Sequence, residues 1–152
     1  MSTARARLES LRHEDLAALH AAGHAPDPAA LHGAMDGLVL TSTVMRELRL
    51  WRGKVFEPQA DGCVGGLNRL GLGPIEVRRY RFRAYVGPSL FADRSVLLLD
   101  HDTAANPPYI RRFHDELVQI DDAVFLATSH YRVKGEQRFA AYFALVREEP
   151  AS

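Results

Sequence analysis

The chain has 152 residues, 47% apolar and 25% charged, the mixture of an ordinary globular protein. This excludes a mostly disordered chain and suffices for one core of typical domain size, so residues 1–152 read as a single domain. Nineteen basic residues balance nineteen acidic ones, and at zero formal net charge no global field draws the chain to nucleic acid or to an acidic membrane.

Residues 1–30 read as a helical N-terminal segment. Leu8, Leu11, Leu16 and Leu19 recur near helical spacing, Gly23 ends the pattern, and Asp27 is placed to cap a short turn that begins at Pro28. The N-terminus is charged and lacks the apolar stretch of a secretory signal. No apolar run reaches the roughly 18 residues of a membrane span, so a cytoplasmic protein without a membrane partner is expected.

A barrel is expected over residues 31–147. Leu31 to Leu40 reads as a first strand interrupted by two glycines. Thr41-Ser42-Thr43 offers caps for a helix near 43–51, with Val44, Leu48 and Trp51 on one face. The Gly-rich stretch from Gly62 to Pro74 reads as loops with one short strand. Cys63, the chain's one cysteine, lies there among small residues, which excludes an intrachain disulfide and argues for an inert loop or strand-end thiol. From Ile75 to Val86 the pattern alternates, with Tyr80, Phe82, Ala84 and Val86 on one side and Arg79, Arg81, Arg83 and Tyr85 on the other. Arg94 to Asp100 is an apolar strand. Asn106-Pro107-Pro108 opens an expected helix over 107–117, with Ile110, Phe113 and Leu117 as its buried stripe and Arg111–Asp115 and Arg112–Glu116 as surface pairs. Val124 to Val133 and Phe139 to Val146 are two further strands, joined by a hairpin turn at Lys134–Gln137. Consecutive strands at hairpin spacing predict a mainly β (α+β) fold: an antiparallel barrel or half-barrel with short N-terminal helices and one inserted helix.

Gly33-Ala34-Met35-Asp36-Gly37 resembles the Gly-X-Trp-X-Gly signature on the first strand of calycin-type barrels, the lipocalin and fatty-acid-binding group, with Met35 in place of the tryptophan. Trp51-Arg52-Gly53-Lys54-Val55-Phe56 is similar to the Trp-X-Gly-Lys-X-Phe segment of a bacterial family named after that motif. Asp121–Leu126 and Tyr142–Arg147 resemble that family's last two strands. The resemblance implies a calycin-like barrel and supplies no activity.

A barrel of about eight strands is either filled by side chains or holds one small ligand. Met35, Trp51, Phe56, Tyr80, Phe82, His130 and Tyr142 are the residues expected to line such a lumen and to bind a small, largely apolar molecule. His130, inside an apolar strand, would be the acid–base group if the lumen were instead an enzyme site, such as an isomerase, cyclase or hydrolase acting on a secondary metabolite. The arginines of residues 78–83 read as a solvated face rather than an anion grip. His101 lies in a loop between Asp100 and Asp102, which would raise its pKa, an arrangement that equally describes a plain polar turn. No His-X-His, Cys-X-X-Cys or His-Glu-X-X-His spacing occurs, so no metal is expected. No cofactor is expected either, with haem on a single axial histidine as the alternative. A monomer or homodimer would suffice.

Overall fold

The computed structural model describes residues 2–41, 50–61 and 63–147. Two helices, α1 (Ser2–Glu9) and α2 (His13–Ala22), and a 3-10 turn at Pro28–Ala30 precede eight strands. These are β1 (Gly33–Val39), β2 (Trp51–Pro58), β3 (Val64–Leu72), β4 (Ile75–Pro88), β5 (Ser95–Asp100), β6 (Phe113–Gln119), β7 (Val124–Val133) and β8 (Glu136–Arg147). Each strand pairs antiparallel with the next, and β8 returns to β1, closing the barrel. Closure removes the unpaired edges that such apolar strands would otherwise expose.

Alternation along the strands builds two cores. Inside the barrel, Leu31, Met35, Phe56, Val64, Phe82, Leu97, Leu99, Leu117, Phe125 and Leu145 fill one end. Each such side chain contributes about 1.5–3 kcal/mol by leaving water. On the outer wall, Leu38, Leu98, Val118, Leu126, Tyr142 and Ala144 lie beneath Leu8 and Leu16 of the helices. This second core explains why β5, β7 and β8 are apolar on both faces. Helix α2 is held at both ends: the Asp15 carboxylate accepts from the Arg12 N–H at 3.0 Å, and Gly23 N–H donates to the Leu19 carbonyl at 3.0 Å. Arg94 then donates to the Gly23 carbonyl at 3.0 Å, tying the helix end to the start of β5.

The helical opening, the Asp27 cap (its carboxylate accepts from Ala29 N–H at 3.0 Å) and the strands read at 75–86, 94–100, 124–133 and 139–146 are all present. So is the turn at Lys134-Gly135, where both residues have positive φ, as a two-residue hairpin of this hand requires. The helix expected near 43–51 falls largely outside the described residues; Trp51 itself begins β2.

Two expectations are corrected. Residues 107–117 form no helix: 107–112 are turns and Phe113–Gln119 is β6. Period-two burial of Asp115 and Leu117 inside the barrel prevails over the Asn-Pro-Pro start signal. The expected surface pairs are therefore absent, and Arg111 instead donates to Asp102 at 2.7 Å. The Gly-rich stretch, read as loops with one short strand, holds a nine-residue strand, Val64–Leu72. Its glycines serve close packing: a Cβ on Gly66 would sit 2.0 Å from the Val55 carbonyl oxygen and 2.6 Å from the Phe82 ring.

Three bulges re-aim side chains near one end of the barrel; in β2, Trp51 pairs with Leu70 but Gly53 with Arg69, so Arg52 is extra. Leu67 pairs with Arg81 but Asn68 with Arg79, so Tyr80 is extra, at φ 73°. Ser129 pairs with Ala141 but His130 with Phe139, so Ala140 is extra. Ala140 and Ala141 both border the lumen, and Phe139 is turned onto the outer wall beside Tyr142.

Candidate functional site

The end of the barrel opposite the packed core is hollow. A cavity of about 190 Å³ is walled mainly by Trp51, Leu70, Tyr80, Ile110, Phe113 and Phe143. For scale, an apolar cavity of about 150 Å³ is enough to take up benzene. Besides Ser129 (β7), four polar side chains border it, each from a different strand or strand end: Lys54 (β2), Asn68 (β3), His101 (after β5) and Asp115 (β6). All four are buried.

Asn68 is the hub. Its Oδ1 accepts from Lys54 Nζ at 2.8 Å and from Trp51 Nε1 at 3.0 Å, while its Nδ2 donates to the Tyr80 carbonyl at 2.9 Å. The bulge at Tyr80 thus presents the carbonyl that orients the amide. Lys54 Nζ stands 3.3 Å from His101 Nε2 and 3.9 Å from Asp115 Oδ2, and 4.6 Å from the centre of the Phe82 ring. The amide nitrogen of Asn68 also approaches His101 Nε2, at 3.4 Å. With Lys54 Nζ and Asn68 Nδ2 facing it, Nε2 is placed to accept, while the buried Nδ1 has no hydrogen-bond partner. Asp115 Oδ1 is buried with no hydrogen-bond partner.

Burial sets the charges here. It pulls the Lys54 ammonium down to about 8, partly offset by Asp115. It raises the Asp115 carboxyl, with Lys54 opposing. It also pushes His101 well below its ordinary value, reinforced by the Lys54 charge. The expectation that Asp100 and Asp102 raise His101 is therefore overturned: the ring turns inward, away from water.

Of the residues singled out from sequence, Trp51 and Tyr80 border the cavity. Met35, Phe56 and Phe82 face the barrel interior but belong to its packed core, below the cavity walls. His130 and Tyr142 do not face the lumen. Tyr142 belongs to the outer core, with its ring 5.1 Å from those of His13 and Phe139. His130 stacks on Phe91 at 4.1 Å and neighbours His114 and Phe139. Ser129, its neighbour, takes the inward position, so alternation turns His130 out. Arg79, Arg81 and Arg83 are exposed, as a solvated face requires.

Lys54, Asn68 and Asp115 escaped the sequence reading, and His101 was given the wrong surroundings. Asn68 sat in presumed loop and Asp115 on a presumed helix. One signal did point to Lys54: it is one of two lysines in a chain that otherwise uses 17 arginines, and it follows Gly53 in an apolar strand.

The outer wall carries a separate polar cluster. The Glu116 carboxylate accepts from His114 Nε2 at 2.8 Å, Ser89 Oγ at 2.6 Å and Leu90 N–H at 2.9 Å, clamping the β4–β5 connection onto β6. In a strand, residues two apart share a face, so His114 meets Glu116. Burial opposes ionisation of Glu116, but these donors outweigh it and hold the carboxyl down to about 2. Its contribution to stability is complete above the ordinary carboxylate range and disappears as pH falls through about 2. Glu116→Gln should cost about 2 kcal/mol in urea unfolding at pH 7, and the gap should close towards pH 2. A gap that stayed constant with pH would show that the carboxylate charge does not hold the clamp.

No family model matches the chain, and no curated protein sequence matches it. A crystal structure of a protein from Thermomonospora curvata is similar, with a TM-score of 0.56 at 13% identity, covering 97% of this chain and 95% of that one. At that identity the likeness concerns the fold, and it extends along nearly the whole of both chains. Among the described residues no helix is long and apolar enough to cross a membrane.

Proposed function

We propose that this chain is a single calycin-like domain that binds one small, electrically neutral, largely apolar molecule in the hollow end of its barrel. The observation that carries this reading is the pairing of an apolar cavity with a buried polar end made of Lys54, Asn68, His101 and Asp115. A barrel built only for stability would close that space with side chains, as the other end does. The apolar walls bury the body of the ligand and the polar end orients its head group.

Charge selects the head group. Lys54 and Asp115 together carry no net charge, so an ionic ligand would enter with an uncompensated charge in a water-poor site. A neutral dipolar group, such as a carbonyl or hydroxyl, meets a donor in Lys54 and an oxygen in Asp115. The volume suits a molecule of one aromatic ring with a short side chain.

Trp51 is the chain's single tryptophan and borders the cavity, so its fluorescence reports occupancy directly. Cinnamyl alcohol should quench it saturably, and cinnamate should bind at least tenfold more weakly. Ala141→Leu, which grows a side chain into the cavity, should abolish the quenching with the fold retained. Equal affinity for alcohol and carboxylate would overturn the charge argument, and no saturable quenching by either would overturn the binding reading.

A further inference from the structure

We propose that Lys54 is a nucleophile that condenses reversibly with the carbonyl group of an aldehyde or ketone ligand, forming an imine inside the barrel; this rests on the binding reading above and specifies its ligand class.

A neutral primary amine has two N–H bonds and one lone pair. Two acceptors stand within reach of Nζ, Asn68 Oδ1 at 2.8 Å and His101 Nε2 at 3.3 Å, and both belong to neutral groups. Asp115 Oδ2, at 3.9 Å, is beyond hydrogen-bond distance. The surroundings therefore satisfy both N–H bonds of the neutral amine, and beyond them the nitrogen meets only the ring faces of Phe82 at 4.6 Å and Phe143 at 5.8 Å, on a side chain that borders the cavity. An ammonium here has the Phe82 and Phe143 rings and a carboxylate 3.9 Å away, but among the described residues no third acceptor within hydrogen-bond distance to hold its third proton.

Composition points the same way. This chain uses arginine almost everywhere a cation is needed, with 17 arginines to two lysines. A guanidinium cannot lose its proton in a protein, whereas a buried lysine can, and only the neutral amine attacks a carbonyl carbon. Lys134, the other lysine, is exposed in the β7–β8 turn.

The condensation balances with the groups present. The Lys54 lone pair forms a bond to the carbonyl carbon, and the C=O π pair moves to oxygen. The nitrogen releases a proton and the oxygen gains one, giving a neutral carbinolamine. Asp115, carrying the proton that Lys54 gave up to become the neutral amine, donates it to the hydroxyl, the C–O bond breaks, and water leaves. The nitrogen lone pair completes the C=N bond, and loss of the remaining N–H proton returns the acid to Asp115. One water is released and nothing is oxidised or reduced. The aromatic walls from Trp51, Phe113 and Phe143 limit access of water, which favours the dehydrated product.

The test uses the wild-type protein at pH 7.5 with cinnamaldehyde as the probe and sodium cyanoborohydride to trap any imine. Peptide mapping should locate a single adduct, the mass of the aldehyde less one water plus two hydrogens, on Lys54. Its rate should exceed that at Lys134 at least tenfold, and excess cinnamyl alcohol should suppress it. Saturable quenching of Trp51 by cinnamaldehyde without an adduct at Lys54, or with Lys134 labelled equally fast, would overturn the imine and leave the binding reading standing. Absence of both quenching and adduct would overturn the two together.

Discussion

Between pH 8 and pH 10.5 the protein should gain about 3 kcal/mol of folding stability relative to a Lys54→Met/Asp115→Asn double variant, which carries neither buried charge. The sign follows from proton counting. The unfolded chain holds the Lys54 proton up to about 10.5, while the folded protein releases it at about 8. Within that window the unfolded state binds more protons, so raising the pH favours folding. Below the window the amine is charged in both states and the folded protein carries the full desolvation cost; above it the amine is neutral in both and the cost is gone. Because replacing a buried ion pair by apolar or neutral groups is often stabilising by about 1–4 kcal/mol, the double variant should be the more stable protein near pH 7. Urea unfolding of both proteins at pH 7, 9 and 10.5 measures the difference. A difference that does not change with pH would mean that Lys54 is not desolvated in the folded state. The result bears directly on the site: an amine kept in the barrel at a cost to stability is consistent with a use for its neutral form.

Gly53→Ala should cost about 4 kcal/mol, a large part of the stability of a domain of this size. Gly53 has φ 138°, which side-chain-bearing residues rarely adopt, and an added Cβ would lie 2.1 Å from the Met35 carbonyl oxygen and 2.8 Å from the Gly37 nitrogen. These are backbone atoms of β1 and cannot step aside without parting the β1–β2 pair. The position follows the irregularity between Trp51 and Gly53 that sets Trp51 and Lys54 at the cavity edge, so the variant should also lose ligand-dependent quenching of Trp51. Gly135→Ala separates the two causes: its φ is 81°, but nothing lies within 4 Å of the added atom. It should cost only about 1–2 kcal/mol, from backbone strain alone. Equal melting temperatures for the two variants would show that the contact with β1 contributes nothing.

The strands that alternate cleanly or run apolar were readable from sequence because their pattern records burial directly. Phe82 and Ala84 face inward as the period-two pattern of β4 requires, and the doubly apolar β5, β7 and β8 are buried on both sides by the lumen and by α1 and α2. The reading failed where a local signal competed with a distant contact. Asn106-Pro107-Pro108 is a sound helix start, but Leu117 and Asp115 are drawn into the barrel by pairing with β5 and β7. The glycines of β3 resemble loop residues until Val55 and Phe82 are placed against them. The inward or outward sense of His130 and Phe139 turned on one extra residue, Ala140, whose bulge no periodicity announces.

A mainly β, antiparallel fold behind a helical N-terminus was legible segment by segment, because hydrophobic periodicity needs no partner to be read; whether the sheet closes fully was left between barrel and half-barrel until β8 met β1. The candidate site was decided by tertiary structure alone. Lys54, Asn68, His101 and Asp115 come from four separate places in the chain, each ordinary in its own neighbourhood, and their chemistry arises only when barrel closure brings them within 4 Å of one nitrogen and removes the water around it.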